Sequence, residues 1–222
     1  MDYSTANLYR EGLFMNLLKK SGFYLLVIVV IAELSVPFFL AGHYPNYDSI
    51  TMLISDFGEE GSPVRHLFKF WQLIDGSLFL LTIPSFYLRF SQTSPVLAKW
   101  LGVMMATFAI GDCITTGILD RSTNPLEAGM ESLVHDYASG AGFTALLAAT
   151  FLLILLYKME NNSFVVRTFT LIFILSLCLL LLYAAPKLPG LNTLNIPYRG
   201  LWQRLNLLFL YLPFFFVALK NL

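Results

Sequence analysis

The chain is 222 residues long, 57% hydrophobic and only 13% charged, with 20 Phe and 11 Tyr. Soluble domains carry about 25% charged residues, so a cytosolic enzyme, a disordered protein and a secreted disulfide scaffold are excluded. Fourteen Lys plus Arg against fourteen Asp plus Glu leave no basic surplus to attract nucleic acid.

Uncharged runs of about 20 residues recur, the length that crosses a hydrocarbon core about 30 Å thick as an α-helix. The reading is an all-α, polytopic membrane protein: a single bundle of six transmembrane helices spanning residues 1–222, with short interfacial helices on the outer side. Residues 1–20 read as a cytoplasmic, amphipathic N-terminal segment. The first span, Gly22 to Leu40, follows Lys19 and Lys20 like a signal peptide, but it contains Glu33 and Pro37 and no small-x-small cleavage site follows; it reads as retained. After it, Asp48 is expected to cap a short amphipathic helix carrying Ile50, Leu53, Ile54 and Phe57, ended by Gly58 and lying along the outer interface.

The second span, Phe70 to Leu88, follows Ser62 as N-cap and Pro63 as first helical residue. The third runs from Trp100 to Leu119. Asn124 and Pro125 repeat the Ser62–Pro63 arrangement before the fourth, Tyr137 to Tyr157. The fifth, Thr168 to Ala185, is apolar apart from Ser176 and Cys178 and reads as scaffold. Pro186 to Pro197, with three prolines, forms an extended outer loop before the sixth span, Gly200 to Leu219. Cys113 and Cys178 both lie in apolar runs and read as small buried hydrophobes.

With the N-terminus inside, Arg10, Lys19, Lys20, Arg89, Lys99, Lys158, Arg167 and Lys220 fall in inner segments. Arg65, Lys69, Arg121, Lys187, Arg199 and Arg204 fall in outer ones. This bias places both termini in the cytoplasm and the protein in the cytoplasmic (inner) membrane.

A charge at mid-membrane costs at least about 2.5 to 3.5 kcal/mol, so Glu33, Asp75, Asp112 and Arg204 each need a partner or a role. All four fall in the outer half. Gln72, Asp75, Gly76 and Thr82 share one stripe of the second helix, while His66 points the other way. Asp112 shares a face with Thr115 and Thr116, and His135, Ser139 and Gly142 form a small polar stripe on the fourth helix. Either Arg204 neutralises these acids as a structural device, or the set lines a polar pocket open to the outer side. In the second case Asp75, Asp112 and His135 are candidate catalytic groups, and Glu33, Gln72, Gln203 and Arg204 candidate ligand-binding groups. Glu127, Glu131 and His135, spaced four apart, could offer a divalent metal two carboxylates and an imidazole. Asp120, Asp136, His43 and His66 are further donors within the same region.

The segments YPNYDSITMLISDFGEEGSP, GDCITTGILD, LVHDYAS and YRGLWQRL, in this order, resemble the bacterial and archaeal membrane-protein family catalogued as domain of unknown function 998. Tyr47, Asp48, Gly61, Ser62 and Pro63, then His135, then Gln203 and Arg204 carry that resemblance. Where relatives often have a proline and an acid after helix three, this chain has Leu119 and Asp120. The resemblance implies the fold and no established activity.

Four functions compete. A pocket protein or enzyme acting on a lipid or small amphiphile fits the polar groups, with the bilayer as its surroundings and no nucleic acid; no H-E-x-x-H and no nucleophile motif is present. A small transporter or channel needs polar groups reaching the inner face, where only Thr82 and Ser85 stand. A haem needs two facing histidines, and His135 alone is suitably placed. The fourth is an accessory protein without a ligand. The pattern leaves oligomeric state open.

Overall fold

The computed structural model describes residues 3–120, 129–185 and 194–222, with side chains from residue 20 onward. All regular elements among them are helical. Six helices are long and apolar enough to cross a membrane: α1 (Tyr3–Ala41), α2 (Arg65–Phe90), α3 (Pro95–Ile118), α4 (Met130–Met159), α5 (Ser163–Ala184) and α6 (Arg199–Lys220). This is the expected six-helix membrane bundle. Helix starts follow local chemistry. Ser94 caps α3 by accepting from Leu97 N at 3.4 Å with Pro95 at the first position, and Asn162 caps α5 by accepting from Val165 N at 3.3 Å.

Each helix packs on the next in sequence, and α1 closes the ring against α6. Helix α5 is the most peripheral, with 22% of its most apolar stretch buried, as its uniform apolarity implies. Cys178 is exposed on it, which corrects the reading of that cysteine as buried; an all-apolar helix gives no sequence clue to its inward face.

Both ends of the bundle are tied by ion pairs, and between them one half is filled with rings. Phe79 meets Phe108, Tyr211 and Phe214 at centroid distances of 5.3, 6.1 and 6.5 Å, and Phe86 meets Phe23 at 5.4 Å and Phe214 at 5.9 Å. Below them Phe90 meets Tyr157, which meets Phe169. At this far end, Arg89 donates to both Glu160 oxygens at 2.7 and 2.8 Å and Thr93 donates to Oε1 at 2.6 Å. Burial alone would raise the Glu160 carboxyl, but Arg89 and Thr93 hold it below the usual range. At the opposite end, which carries the loop of residues 42–64, Arg65 and Lys69 both donate to Asp120, Lys69 at 2.7 Å. There too the partners outweigh burial and hold the Asp120 carboxyl low.

The expected interfacial helix takes another form. Residues Ile54–Gly58 make a 3-10 turn whose five residues are all buried, packed against α2, the end of α3 and α6. Asp48 does cap a turn, accepting from Ile50 N at 2.9 Å and Thr51 Oγ1 at 2.7 Å, which lowers its carboxyl, but Leu53, Ile54 and Phe57 are buried in the bundle. Phe57 stacks on Tyr47 at 4.2 Å and contacts Phe68 at 5.9 Å. The segment is therefore a plug over one end of the bundle. Ser62 and Pro63 form a turn ahead of α2, which begins at Arg65. The Asn124–Pro125 helix start, Glu127, and residues 186–193 of the proline-rich loop lie outside the described residues, as do the side chains of the N-terminal segment.

Candidate functional site

The α2 stripe is buried as its spacing requires: Gln72, Asp75, Gly76 and Thr82 all face inward, and His66 is exposed. Gly76 lets α3 approach so closely that a Cβ there would stand 2.8 Å from Cys113 Cβ and 2.9 Å from the Ala109 carbonyl. At that point α3 widens into a π-helical turn, Ala109–Ile114, whose extra residue breaks the regular ladder and re-aims the side chains within it. Thr115 accordingly donates to the Ile110 carbonyl, five residues back. Asp112 is in the turn and accepts from Ser139 Oγ of α4. On the far side, Glu33 of α1 accepts from Trp71 Nε1 at 2.7 Å, and Gln72 reaches it as well.

Glu33, Gln72, Asp112, Thr116, Ser139 and Gln203 thus come from five helices to line one cavity of about 20 Å³. That is room for about one water. Its roof is Ile54 and Ser55 of the 3-10 turn. Glu33, Ile54 and Leu207 also form part of the wall of a larger, mostly apolar cavity of about 360 Å³ between α1 and α6.

A family model described as a protein of unknown function, DUF998, matches residues 27–220. The chain belongs to the DUF998 family. The match contains every residue of both cavities. No curated protein matches the chain, and no solved structure does.

Arg204 in this DUF998 protein corrects the expected ion pair with Asp75 or Asp112. Its Nη1 donates to the carbonyls of Met52 and Gly200 at 2.9 and 3.0 Å, and its Nη2 donates to Tyr47 Oη at 2.6 Å. Tyr47 in turn donates to the Leu53 carbonyl at 2.6 Å; burial, opposed by Arg204, pushes its phenol up to about 12, so it remains a donor. Gln203 completes the clamp, accepting from Ile54 N at 2.7 Å through Oε1. The residues at 203 and 204 therefore hold the loop of residues 44–58 over the site. Equal depth in the sequence misled because depth along a helix says nothing about which neighbour its face meets.

The other expected groups separate. Asp75 is fully buried, accepts from Cys113 Sγ at 3.6 Å and has no partner for Oδ1 among the described residues, yet it is outside the lining of the cavity. Cys113, expected to be a plain hydrophobe, is its donor. His135 is buried one turn beyond Ser139, with Nδ1 3.6 Å from Asp136 Oδ1. Glu131 is exposed. Among the described residues no three His, Cys, Asp or Glu side chains are grouped to hold a metal, and Asp120 is engaged by Arg65 and Lys69. Tyr47, Trp71 and Thr116 complete the site. Trp71, adjacent to Gln72 in an apolar run, offered no signal in the sequence.

Replacing Arg204 by Met removes three charge-assisted hydrogen bonds, so the protein should lose about 1 to 3 kcal/mol as read by thermal melting in detergent. Tyr47→Phe should lose less, and the double variant little more than Arg204→Met alone. Adding Asp75→Asn to Arg204→Met should not restore the loss; recovery would mean that the two side chains are partners after all.

Proposed function

We propose that this DUF998 protein binds a lipid or small amphiphile in the outer half of the bundle. The chain of the ligand would lie in the cavity between α1 and α6, and its polar part would face the Glu33, Gln72, Asp112 and Gln203 pocket. The observation that carries this reading is the wall common to the two cavities, which puts apolar volume against convergent polar groups, the usual make-up of a small-molecule site. If the ligand is also turned over, Asp112, held by Ser139, is the group placed to exchange a proton with it, with Asp75 and His135 behind. The aromatic layer from Phe79 to Tyr157 favours binding over conduction, because it fills the path that a channel would need. A divalent ion on His135, Glu131 and Glu127 is a separate proposal, tested by metal analysis of the wild type and His135→Ala.

The test is lipid identification on protein purified in a neutral detergent. Wild type should carry a discrete amphiphile near one per chain, and Asp112→Leu, which keeps the branched shape but removes the polar atoms, should lose it. A bound fraction that merely mirrors the bulk lipids in both proteins would contradict the reading.

The proposal includes a cytoplasmic-membrane location with both termini inside, supported by the Lys and Arg bias. Reporters fused after Glu60 should read as extracytoplasmic, and those after Ser94, Asn162 and the C-terminus as cytoplasmic. The reverse pattern at Asn162 and the C-terminus would turn the pocket toward the cytoplasm.

A further inference from the structure

The polar pocket is the more selective of the two spaces, because it is small and carries charge of one sign. Its volume of about 20 Å³ admits about one water-sized group. Its polar lining includes Glu33, Gln72, Asp112, Thr116, Ser139 and Gln203, and none of its lining residues is Lys, Arg or His. Asp112 is the charged neighbour that acts on Glu33, and Asp75, one turn along α2 from Gln72, acts with both. Acids that act on one another across a low-dielectric interior gain from a cation placed among them. Arg204 is not that cation, since its Nη atoms are held by Met52, Gly200 and Tyr47. Glu33 stands where the two spaces meet and lines both. It accepts from Trp71 Nε1 at 2.7 Å and from Gln72, and a carboxylate has about four lone-pair sites, so it can take a further donor. On its other side the cavity of about 360 Å³ holds about twelve water-sized groups, which suits one alkyl chain better than two. That cavity reaches the lipid-facing surface at Phe38, which is 64% exposed.

From a water-sized pocket walled by two carboxyls and sharing Glu33 with an apolar cavity, we propose that the ligand is a primary ammonium group on a single alkyl chain. The nitrogen sits in the pocket and donates to Glu33 and Asp112, and the chain lies between α1 and α6. The proposal rests on the amphiphile-binding reading and specifies the charge, the size of the polar end and the chain number. A primary ammonium is a compact charge with three donors and about the bulk of one water. A trimethylammonium has the same charge but methyl groups in place of those hydrogens, so the pocket excludes it by size and offers it no hydrogen bond. The ligand enters sideways from the bilayer, because the clamped loop covers the end of the bundle.

Binding of labelled dodecylamine and of oleoyl lysophosphatidylethanolamine to the full chain in neutral detergent near pH 7, where an alkylamine is protonated, tests this and separates a simple long-chain amine from a lipid headgroup. At least one should bind saturably near one per chain. Its trimethylated counterpart, dodecyltrimethylammonium or oleoyl lysophosphatidylcholine, should bind at least about tenfold more weakly, the scale of a lost charge-assisted hydrogen bond. Glu33→Gln, which keeps the shape and an acceptor for Trp71, should weaken the amine by a similar factor. Leu205→Trp, which fills the apolar cavity and leaves the loop clamp intact, should weaken it as well. Equal affinity for the trimethylated counterpart, or unchanged affinity in either variant, would overturn the proposal; the first comparison uses the wild type alone and so does not depend on how the variants fold. Should both amines fail while wild type still carries a discrete amphiphile that Asp112→Leu loses, the ammonium inference falls and the wider reading stands. Absence of any discrete ligand defeats both.

Discussion

Gly200→Ala should detach the loop of residues 44–58 from α6 and cost about 2 to 4 kcal/mol, combining an overpacking strain with the loss of docking hydrogen bonds. A Cβ at position 200 would stand 2.1 Å from the Met52 carbonyl oxygen and 2.8 Å from that of Ser49. Both are backbone atoms, so no side chain can swing aside. The loop must retreat by about 1 Å to regain ordinary contact, and the bond from Leu201 N to the Ile50 carbonyl, 2.9 Å long, and the Arg204 clamp on Met52 go with it. Thermal melting in detergent and amide exchange over residues 47–58 should both report the change. Gly42→Ala, whose Cβ would meet nothing closer than 3.4 Å, serves as the control. Unchanged exchange in Gly200→Ala would show that the loop is not held by this contact.

Gly142→Val should cost the bundle about 3 kcal/mol. A Cβ at 142 would lie 2.8 Å from Asp112 N and 2.9 Å from Asp112 Cβ, and across the same crossing a Cβ at Gly111 would lie 2.7 Å from the Ala138 carbonyl. Helices α3 and α4 meet backbone to backbone at the π-helical turn, as small residues permit in membranes. Separating them breaks the Ser139–Asp112 bond and opens the polar pocket. Gly140→Val, two residues away with open space around it, should melt as wild type does. If the two variants melt alike, the close crossing is not what orients Asp112.

Six spans were legible because bilayer thickness demands about 20 apolar residues per helix, and the inward stripe of α2 was legible because its polar residues repeat with helical period. The small stripe of His135, Ser139 and Gly142 likewise pointed to a close helix crossing. Three features were not legible. The π-helical turn follows from tertiary packing around Gly76, Gly111 and Gly142, and a hydrophobic pattern does not encode it. The plug formed by Ile54–Gly58 has an amphipathic spacing that suits a surface helix equally well; it is the bonds from Leu201, Gln203 and Arg204 and the packing of Phe57 against Phe68 that hold it inward. Arg204 has the depth of Asp75 and Asp112 but a different azimuth, and azimuth depends on where a neighbouring loop folds back.

If the paired cavities hold one defined amphiphile, site-specific photo-crosslinking should capture it. Ile50 lines the larger cavity while remaining 48% exposed, so a benzoylphenylalanine there should be tolerated, and Leu175, 41% exposed on α5, provides a lipid-facing control. On irradiation in native membranes, the probe at 50 should yield an adduct of a single discrete mass that disappears in the Leu205→Trp background, whereas the probe at 175 should yield the mixture of bulk lipids. The same mixture at both positions would mean that the cavity is filled by ordinary bilayer and that the site has no ligand of its own.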